Sequence, residues 1–517
     1  MRLDGKKLKL ISLLYMYIPI ALFLFGYTKW YFALPTMLIL TWAFICFAKD
    51  DSGYIKSSVL QDKEYDPDEF MTKDYISDSV VIHPAVLAIA CLTIIFICII
   101  IGIGGAFPQA GDWEKHNAVL RDLIRSPWPV YYDRYDKSML TYYLGQYLVP
   151  AVIGKLFYSF DVGNIVMAVW CVLGLILAYL MLIRLTEADS VWKQILGVYM
   201  MLFFCGALCL VQLVLKLIYA ERMYSVGSYH WVLVDGIMLQ YRSNLVMLRW
   251  VIPQVIVPWL ATMMLIEKIK KVEYYVLILL PSLLFGSFSF AALAAVAIIT
   301  VLIQLLKHDI TITKVLALTN ILPGISLGSI LFFYFLGNIQ VDKPISSAFR
   351  LEIYDATHIW VYVVFCVFMF GIYSACVWPE NKNNPVYYAN LAVLLVLPWF
   401  RMGLCNDVVM SGSIPSLFIL MIMVFALLIK DDNSTSLGIR KGIALTILVL
   451  GMIYPICEIS DNIKYNSQGT DIASGYPTMK WFTKRGDPNT SEDLMYNYYT
   501  YDMDGKIFYE YIARTKL

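Results

Sequence analysis

The chain is laid out as apolar blocks of about twenty residues separated by short polar stretches, and a helix of that length crosses a hydrocarbon core of about 30 Å. Inside lipid no water satisfies backbone N–H and C=O groups, so the blocks are expected to be helices. The composition agrees. Of 517 residues, 60% are apolar and only 15% charged, against roughly 25% in a soluble domain. With 40 basic and 39 acidic residues, there is no basic excess for a nucleic acid to meet. A soluble enzyme, a disordered chain and a nucleic-acid binder are all excluded, and the fold class is an all-α membrane protein. The ten cysteines lie in or beside apolar blocks with no paired loop spacing, so they read as small core residues rather than disulfides or zinc ligands.

Apolar spans are expected at 8–26, 30–48, 83–104, 162–184, 192–216, 245–267, 273–287, 288–306, 313–337, 358–377, 386–401, 415–430 and 441–456. The first, preceded by Arg2, Lys6, Lys7 and Lys9 and followed at once by the second, reads as an anchor hairpin rather than a cleaved signal peptide. The short basic loops share one side only if 273–306 is a hairpin broken around Gly286 and the tyrosine-rich stretch 141–157 does not cross. That parity gives about 13 transmembrane helices with the N-terminus in and the C-terminus out. Three regions follow: residues 1–82, a hairpin with an acidic cytoplasmic loop; 83–457, a transmembrane core with an external loop at 105–160; and 458–517, an external tail or small cap. Polar chemistry concentrates on the outer face.

The first outer loop, from Gly111 to Pro129, is the most informative stretch. A helix from Asp112 would place Asp112, Lys115, His116 and Asn117 within its first turn and a half, with Arg121 farther along. A carboxylate beside cations stays ionised and can take a proton from a hydroxyl, while the cations hold a phosphate. As an ordinary helix start, Asp112 would equally serve as an N-cap.

An acid just after an early transmembrane helix, a His/Asn/Arg helix, Pro127-Trp128-Pro129 and the Tyr142-Tyr143-x-x-Gln146-Tyr147-x-x-Pro150-Ala151 segment together resemble the first external loop of GT-C superfamily glycosyltransferases. The resemblance implies a GT-C-like core with interfacial helices in that loop. It also implies a bacterial cytoplasmic membrane with the active site on its outer face, and an inverting transfer from a polyprenyl-phosphate-linked sugar to a glycan, lipid or protein acceptor. Asp112 matches the family's first-loop base or metal-site acid. His116 stands beside it for proton transfer or hydrogen bonding. In some members a second-loop acid joins it, here Glu221 or Asp235, and a divalent ion such as Mg2+ or Mn2+ would suit those oxygen ligands.

Two further stretches look similar to bacterial GT-C-type proteins: Gln240-Tyr241-Arg242-Ser243-Asn244 with Arg249 to Gln254, and Gly403 to Pro415 with Asn406-Asp407. In the second the pattern expects a basic residue after Met410, where this chain has Ser411. Arg242 and Arg249, seven apart, would share one helical face near the outer interface and suit a lipid phosphate. Anchoring to headgroups together with Trp250 is the competing explanation. Donor phosphate is thus assigned to Lys115, Arg121, Arg242, Arg249 and Arg350, and the rest of the substrate to Asn117, Tyr241, Gln254, Asn406 and Asp407. The alternatives are a lipid-linked sugar transporter or flippase, disfavoured because ionisable residues avoid the span centres, and a cell-surface polysaccharide polymerase or ligase.

Overall fold

A computed structural model describes residues 2–57, 79–132, 138–223, 229–338, 349–356, 358–402, 406–431, 434–467, 498–500 and 503–514. The protein is mostly helical. Its helices are α1 (Gly5–Tyr27), α2 (Trp30–Ser57), α3 (Pro84–Ile100), α4 (Trp113–Arg125), α5 (Gly145–Leu156), α6 (Phe160–Leu185), α7 (Val191–Phe203), α8 (Leu208–Tyr219) and α9 (Asn244–Val251). They continue as α10 (Ile256–Glu267), α11 (Tyr275–Phe285), α12 (Ser287–Leu306), α13 (Ile312–Leu336), α14 (Ile359–Asn381), α15 (Pro385–Val396), α16 (Asp407–Ile429), α17 (Thr435–Gly451) and α18 (Ile453–Ser467).

Among the described residues, eight helices are long and apolar enough to cross a membrane: α1, α2 over Trp30–Asp50, α6, α12, α13, α14, α16, and α17 with α18 as Thr435–Lys464. Two bent pairs bring the number to as many as ten: α7 with α8, at 46°, and Asn244–Gln254 with α10, at 99°. The apolar helices at Pro84–Ile100, Val272–Phe285 and Pro385–Trp399 are shorter. At 1.5 Å per residue, even the 17-residue α3 reaches only about 25 Å. The protein is an integral membrane protein.

The hairpin expected around Gly286 is present as α11 and α12. A Cβ at Gly286 would sit 3.0 Å from the Gln254 side chain, so glycine lets Asn244–Gln254 pass close to the break. A Cβ at Gly145 would lie 2.5–2.8 Å from the Phe285 ring, so α5 is seated directly against the same hairpin. α5, which begins within the stretch 141–157, has only 12 residues and packs against α1, α4 and α6.

α1 is built into the core rather than set apart from it. It contacts α5, α6 and α11, and Tyr15, Met16, Ile20, Phe23, Leu24 and Tyr27 are buried along it. α16 is enclosed by other helices over nearly its whole length, with Trp259 stacked on Phe418 at 4.5 Å.

α6 links two different ends of the bundle, about 39 Å apart at 1.5 Å per residue over its 26 residues. Its C-terminal end carries a buried ion triad. Arg184 is bidentate to Glu267 at 2.5 and 2.6 Å, and Lys9 reaches the same carboxylate at 2.9 Å. Other ion pairs near helix ends are Lys193–Asp431 at 2.5 Å, Lys271–Asp50 at 2.8 Å and Arg440–Glu380 at 2.5 Å. α6's N-terminal end meets α4 and α5.

β1 (Arg2–Asp4) pairs antiparallel with β2 (Ser79–Val81), and at the N-terminal end of α6 lies a three-stranded sheet of β3 (Tyr131–Tyr132), β4 (Ser138–Leu140) and β9 (Tyr499–Thr500), the last from the C-terminal region. Residues 503–514 pack onto the same surface, where Ala513 bridges Thr28. The part of the expected tail that is described is thus integrated into the fold; 468–497 lies outside the described residues.

Candidate active site

α4 carries the first group of side chains, and three bonds fix it. Trp113 Nε1 donates to the Arg249 carbonyl at 2.7 Å. His116 Nε2 lies 3.2 Å from the Trp250 carbonyl, and the Tyr147 hydroxyl lies 2.5 Å from His116 Nδ1. A carbonyl only accepts, so Nε2 carries the proton and Nδ1 accepts from Tyr147. Burial pulls the imidazole down to about 4, partly offset by the Asp112 carboxylate and the Trp250 carbonyl, with Lys115 adding to the fall. His116 is neutral near pH 7 with both nitrogens engaged, so it ties α4 to α5 and α9 and offers no nitrogen to a substrate.

Asp112 occupies the N-cap position, but its backbone is already helical and its side chain makes no capping hydrogen bond. The carboxylate instead faces Lys115 Nζ at 3.4 Å and stays 40% exposed. That leaves it open to a partner from outside the helix.

A second strand of the site comes from the middle and late parts of the chain. β5 (Val232–Val234) and β6 (Ile237–Leu239) form a hairpin leading into Gln240. Gln240 Nε2 donates to the Asn406 carbonyl at 3.2 Å, and Asn406 Nδ2 donates to the Met238 carbonyl at 3.0 Å. Asn406 adopts a left-handed conformation, φ 52°, which asparagine tolerates better than most residues, and it turns the chain into α16 at Asp407. Arg242 Nε donates to Gln240 Oε1 at 2.9 Å, and its guanidinium lies over Trp250 at 5.8 Å. This lacing brings Arg242 and Asp407 together.

The two groups converge. The Asp407 carboxylate lies within electrostatic reach of Arg242, Asp112 and Lys115. Asp112 and Asp407 both act on Tyr142, Asp407 acts on Tyr143, and Asp112 acts on Tyr147 and Tyr498. Two acids and two cations thus share one site walled by tyrosines, on segments almost 300 residues apart in sequence.

Other expected site residues lie elsewhere or serve packing. Arg249 does not share a helical face with Arg242, because α9 starts only after Ser243, whose Oγ caps it by accepting from Val246 N. Arg249 instead pairs with buried Glu458 at 3.0 Å and donates to Asn462 Oδ1 at 2.9 Å, both on α18. Arg121 lies over the Phe160 ring at 4.5 Å. Asn117 donates to Gln109 Oε1 at 2.7 Å, bracing the loop before α4. The Tyr241 hydroxyl donates to the Leu394 carbonyl at 2.7 Å. Gln254 is buried against Gly286, and its carbonyl accepts from Ser289. Arg350 is exposed on β7 (Arg350–Leu351), which pairs with β8 (Phe400–Arg401).

Of the three acids considered for a metal, the side chains of Asp112 and Asp235 are described. Asp235 sits in the β5–β6 turn and pairs with His358 at 3.2 Å and Arg222 at 3.6 Å. The Glu221 side chain lies outside the described residues. Among the described residues no three His, Cys, Asp or Glu side chains gather closely enough to hold an ion.

Sequence reasoning missed Tyr498, quoted Gln240 in a resembling stretch without giving it a role, and quoted Tyr142 and Tyr147 only in the interfacial segment. Glu458 carried a signal, since it stands four residues before Asn462 on what is one helical face. Compared with known protein families, curated proteins and solved structures, the chain has no match.

Proposed function

We propose that the protein is a membrane glycosyltransferase of GT-C type, with about 13 crossings, its N-terminus in and its C-terminus out. It would lie in a bacterial cytoplasmic membrane with the site on the outer face. The donor is a sugar on a polyprenyl phosphate and the acceptor a hydroxyl of a glycan, lipid or protein. One observation carries the reading: the uncapped Asp112 carboxylate stands in one electrostatic set with Lys115, Arg242 and Asp407.

Asp112 takes the proton from the acceptor hydroxyl as its oxygen attacks the anomeric carbon, with inversion. The bond from that carbon to the donor phosphate breaks, and its electron pair leaves on the phosphate. Lys115 and Arg242 hold that charge. Phosphate is a good leaving group, so one base suffices, unlike the carboxylate pair of a glycosidase. No step here passes through a metal.

The test is transfer from radiolabelled polyprenyl-phosphate sugars in membranes by the wild type and by Asp112→Asn, which keeps shape but removes the base. A loss of about 100-fold or more in the variant, with normal insertion, is expected. Equal activity of the two would refute Asp112 as base.

A further inference from the structure

α14 and α15, joined by residues 382–384, each pack on α16. The Tyr387 hydroxyl donates to the Ser374 carbonyl at 3.2 Å and the Tyr362 hydroxyl to the Leu395 carbonyl at 3.0 Å, so the two helices lie antiparallel. Between them runs an open groove of about 490 Å³, walled by Val367, Phe370, Gly371 and Trp378 of α14 and by Tyr387 and Leu395 of α15. α14 takes a wider, i→i+5 turn over Val367–Gly371, and the small residues Gly371, Ser374 and Ala375 leave the space open.

The groove faces lipid. α14 is long and apolar enough to cross a membrane, and Val367, Trp378 and Leu395 are exposed along the groove. From Cys366 to Trp378 it extends about 18 Å at 1.5 Å per residue, close to the roughly 15 Å of one leaflet. One end opens at the loop 382–384, where Trp378 and Tyr388 are exposed and the Tyr388 hydroxyl donates to the Lys382 carbonyl at 2.8 Å. Lys307 Nζ donates to the Asn383 carbonyl at 3.4 Å, so Lys307 and Lys382 flank the same loop. Both are exposed, and among the described residues neither makes an ion pair. Exposed aromatic rings with two cations at the mouth of an apolar groove are the surroundings that a lipid phosphate requires. Lys430, which ends α16, lies 3.6 Å from Glu380 on α14, so this mouth is at the opposite end of α16 from Asp407.

We infer that the α14–α15 groove binds one anionic phospholipid from the leaflet at the C-terminal end of α16, with an acyl chain along Phe370 and Leu395 and the phosphate at Lys307 and Lys382. A zwitterionic lipid fills the same groove but brings a cation of its own to the two lysines, so the lysines set the preference and the groove sets the depth. The lipid site does not depend on the transferase reading, because its phosphate end and Asp407 are separated by the 23 residues of α16, about 35 Å.

Native mass spectrometry of the full-length protein in detergent micelles, titrated with phosphatidylglycerol or with phosphatidylcholine of the same acyl chains, reads the site directly. The wild type is expected to retain one phosphatidylglycerol and to hold phosphatidylcholine more weakly. Lys307→Gln and Lys382→Gln should each weaken the phosphatidylglycerol complex about fivefold and leave the phosphatidylcholine complex unchanged. Ala375→Phe, which fills the groove from an exposed position, should weaken both about tenfold, whereas Leu92→Phe on the exposed face of α3 should weaken neither. Equal retention of the two lipids, or no response to either lysine, would overturn the anionic headgroup. An Ala375→Phe protein that melts as the wild type does and still retains its lipid would overturn the groove. Undecaprenyl phosphate outcompeting phosphatidylglycerol one for one would overturn the phospholipid as occupant, and a wild-type dimer that Ala375→Phe turns into a monomer would overturn it in favour of a second copy of the chain.

Discussion

His116 should make the fold sensitive to acid in a way that one substitution removes. In the folded protein burial holds the imidazole at about 4, against 6.5 for the free side chain. Between those values the unfolded chain binds a proton that the folded one refuses, so stability contributed by neutral His116 is complete above pH 6.5 and lost as pH falls toward 4. At about 1.4 kcal/mol per pH unit the full effect is about 3.4 kcal/mol, of which about 2.5 kcal/mol is gone at pH 4.5. His116→Gln keeps a donor for the Trp250 carbonyl and an acceptor for Tyr147 but has no titrating proton. His230, pulled down to about 3 mainly by burial, adds the same trend to both proteins and cancels in their difference. Thermal melts followed by tryptophan fluorescence at pH 7.5 and 4.5 measure it. The wild type should lose more of its midpoint on acidification than the variant. Equal losses would mean that His116 is not held neutral, and the assignment of its tautomer between Trp250 and Tyr147 would fall with it.

Glu267→Gln would leave Arg184 and Lys9 buried without their carboxylate, at a cost of about 3–5 kcal/mol; a melt in detergent unchanged from wild type would refute that value for the triad. Gly145→Ala places a methyl group inside the Phe285 ring and should cost about 1–3 kcal/mol, read as a lowered melting midpoint.

Helix positions were legible because they follow from a local quantity, apolar length, and the break at Gly286 because glycine between two phenylalanines interrupts a run otherwise long enough to cross twice. Asp112, Lys115 and His116 were legible because they are close in sequence. Arg242 and Arg249 were placed on one face by assuming that the helix began before Arg242. Ser243 caps it instead, so Arg242 lies before the first turn and the seven-residue spacing does not put the two on one face. Asp407 was legible as a substrate-binding candidate in the Gly403–Pro415 stretch, but nothing local tied it to Asp112, and Tyr498 had no local signal at all. What brings them to Asp112 is hydrogen bonding between segments hundreds of residues apart: Gln240 to Asn406 for the first, and β4 to β9 for the second.

That division has a physical consequence for how the site is held. Asp112 and His116 are placed by one helix with bonds to α5 and α9, whereas Asp407 depends on a left-handed asparagine whose amide and carbonyl are both bound by the β6–Gln240 segment. Removing those bonds would release Asp407 without disturbing α4. Asp112 and its cationic neighbour Lys115 therefore belong to one hydrogen-bonded unit, while Asp407 and Arg242 belong to another, and Trp250 stands between the two. Its carbonyl holds His116, its ring lies beneath Arg242, and its indole N–H is bound by Glu458 at 2.9 Å. Arg249, the residue before it, is tied down at both levels, its carbonyl by Trp113 and its guanidinium by Glu458. The arginine that the sequence offered for a lipid phosphate is thus spent on fixing the backbone that spaces the two halves of the site.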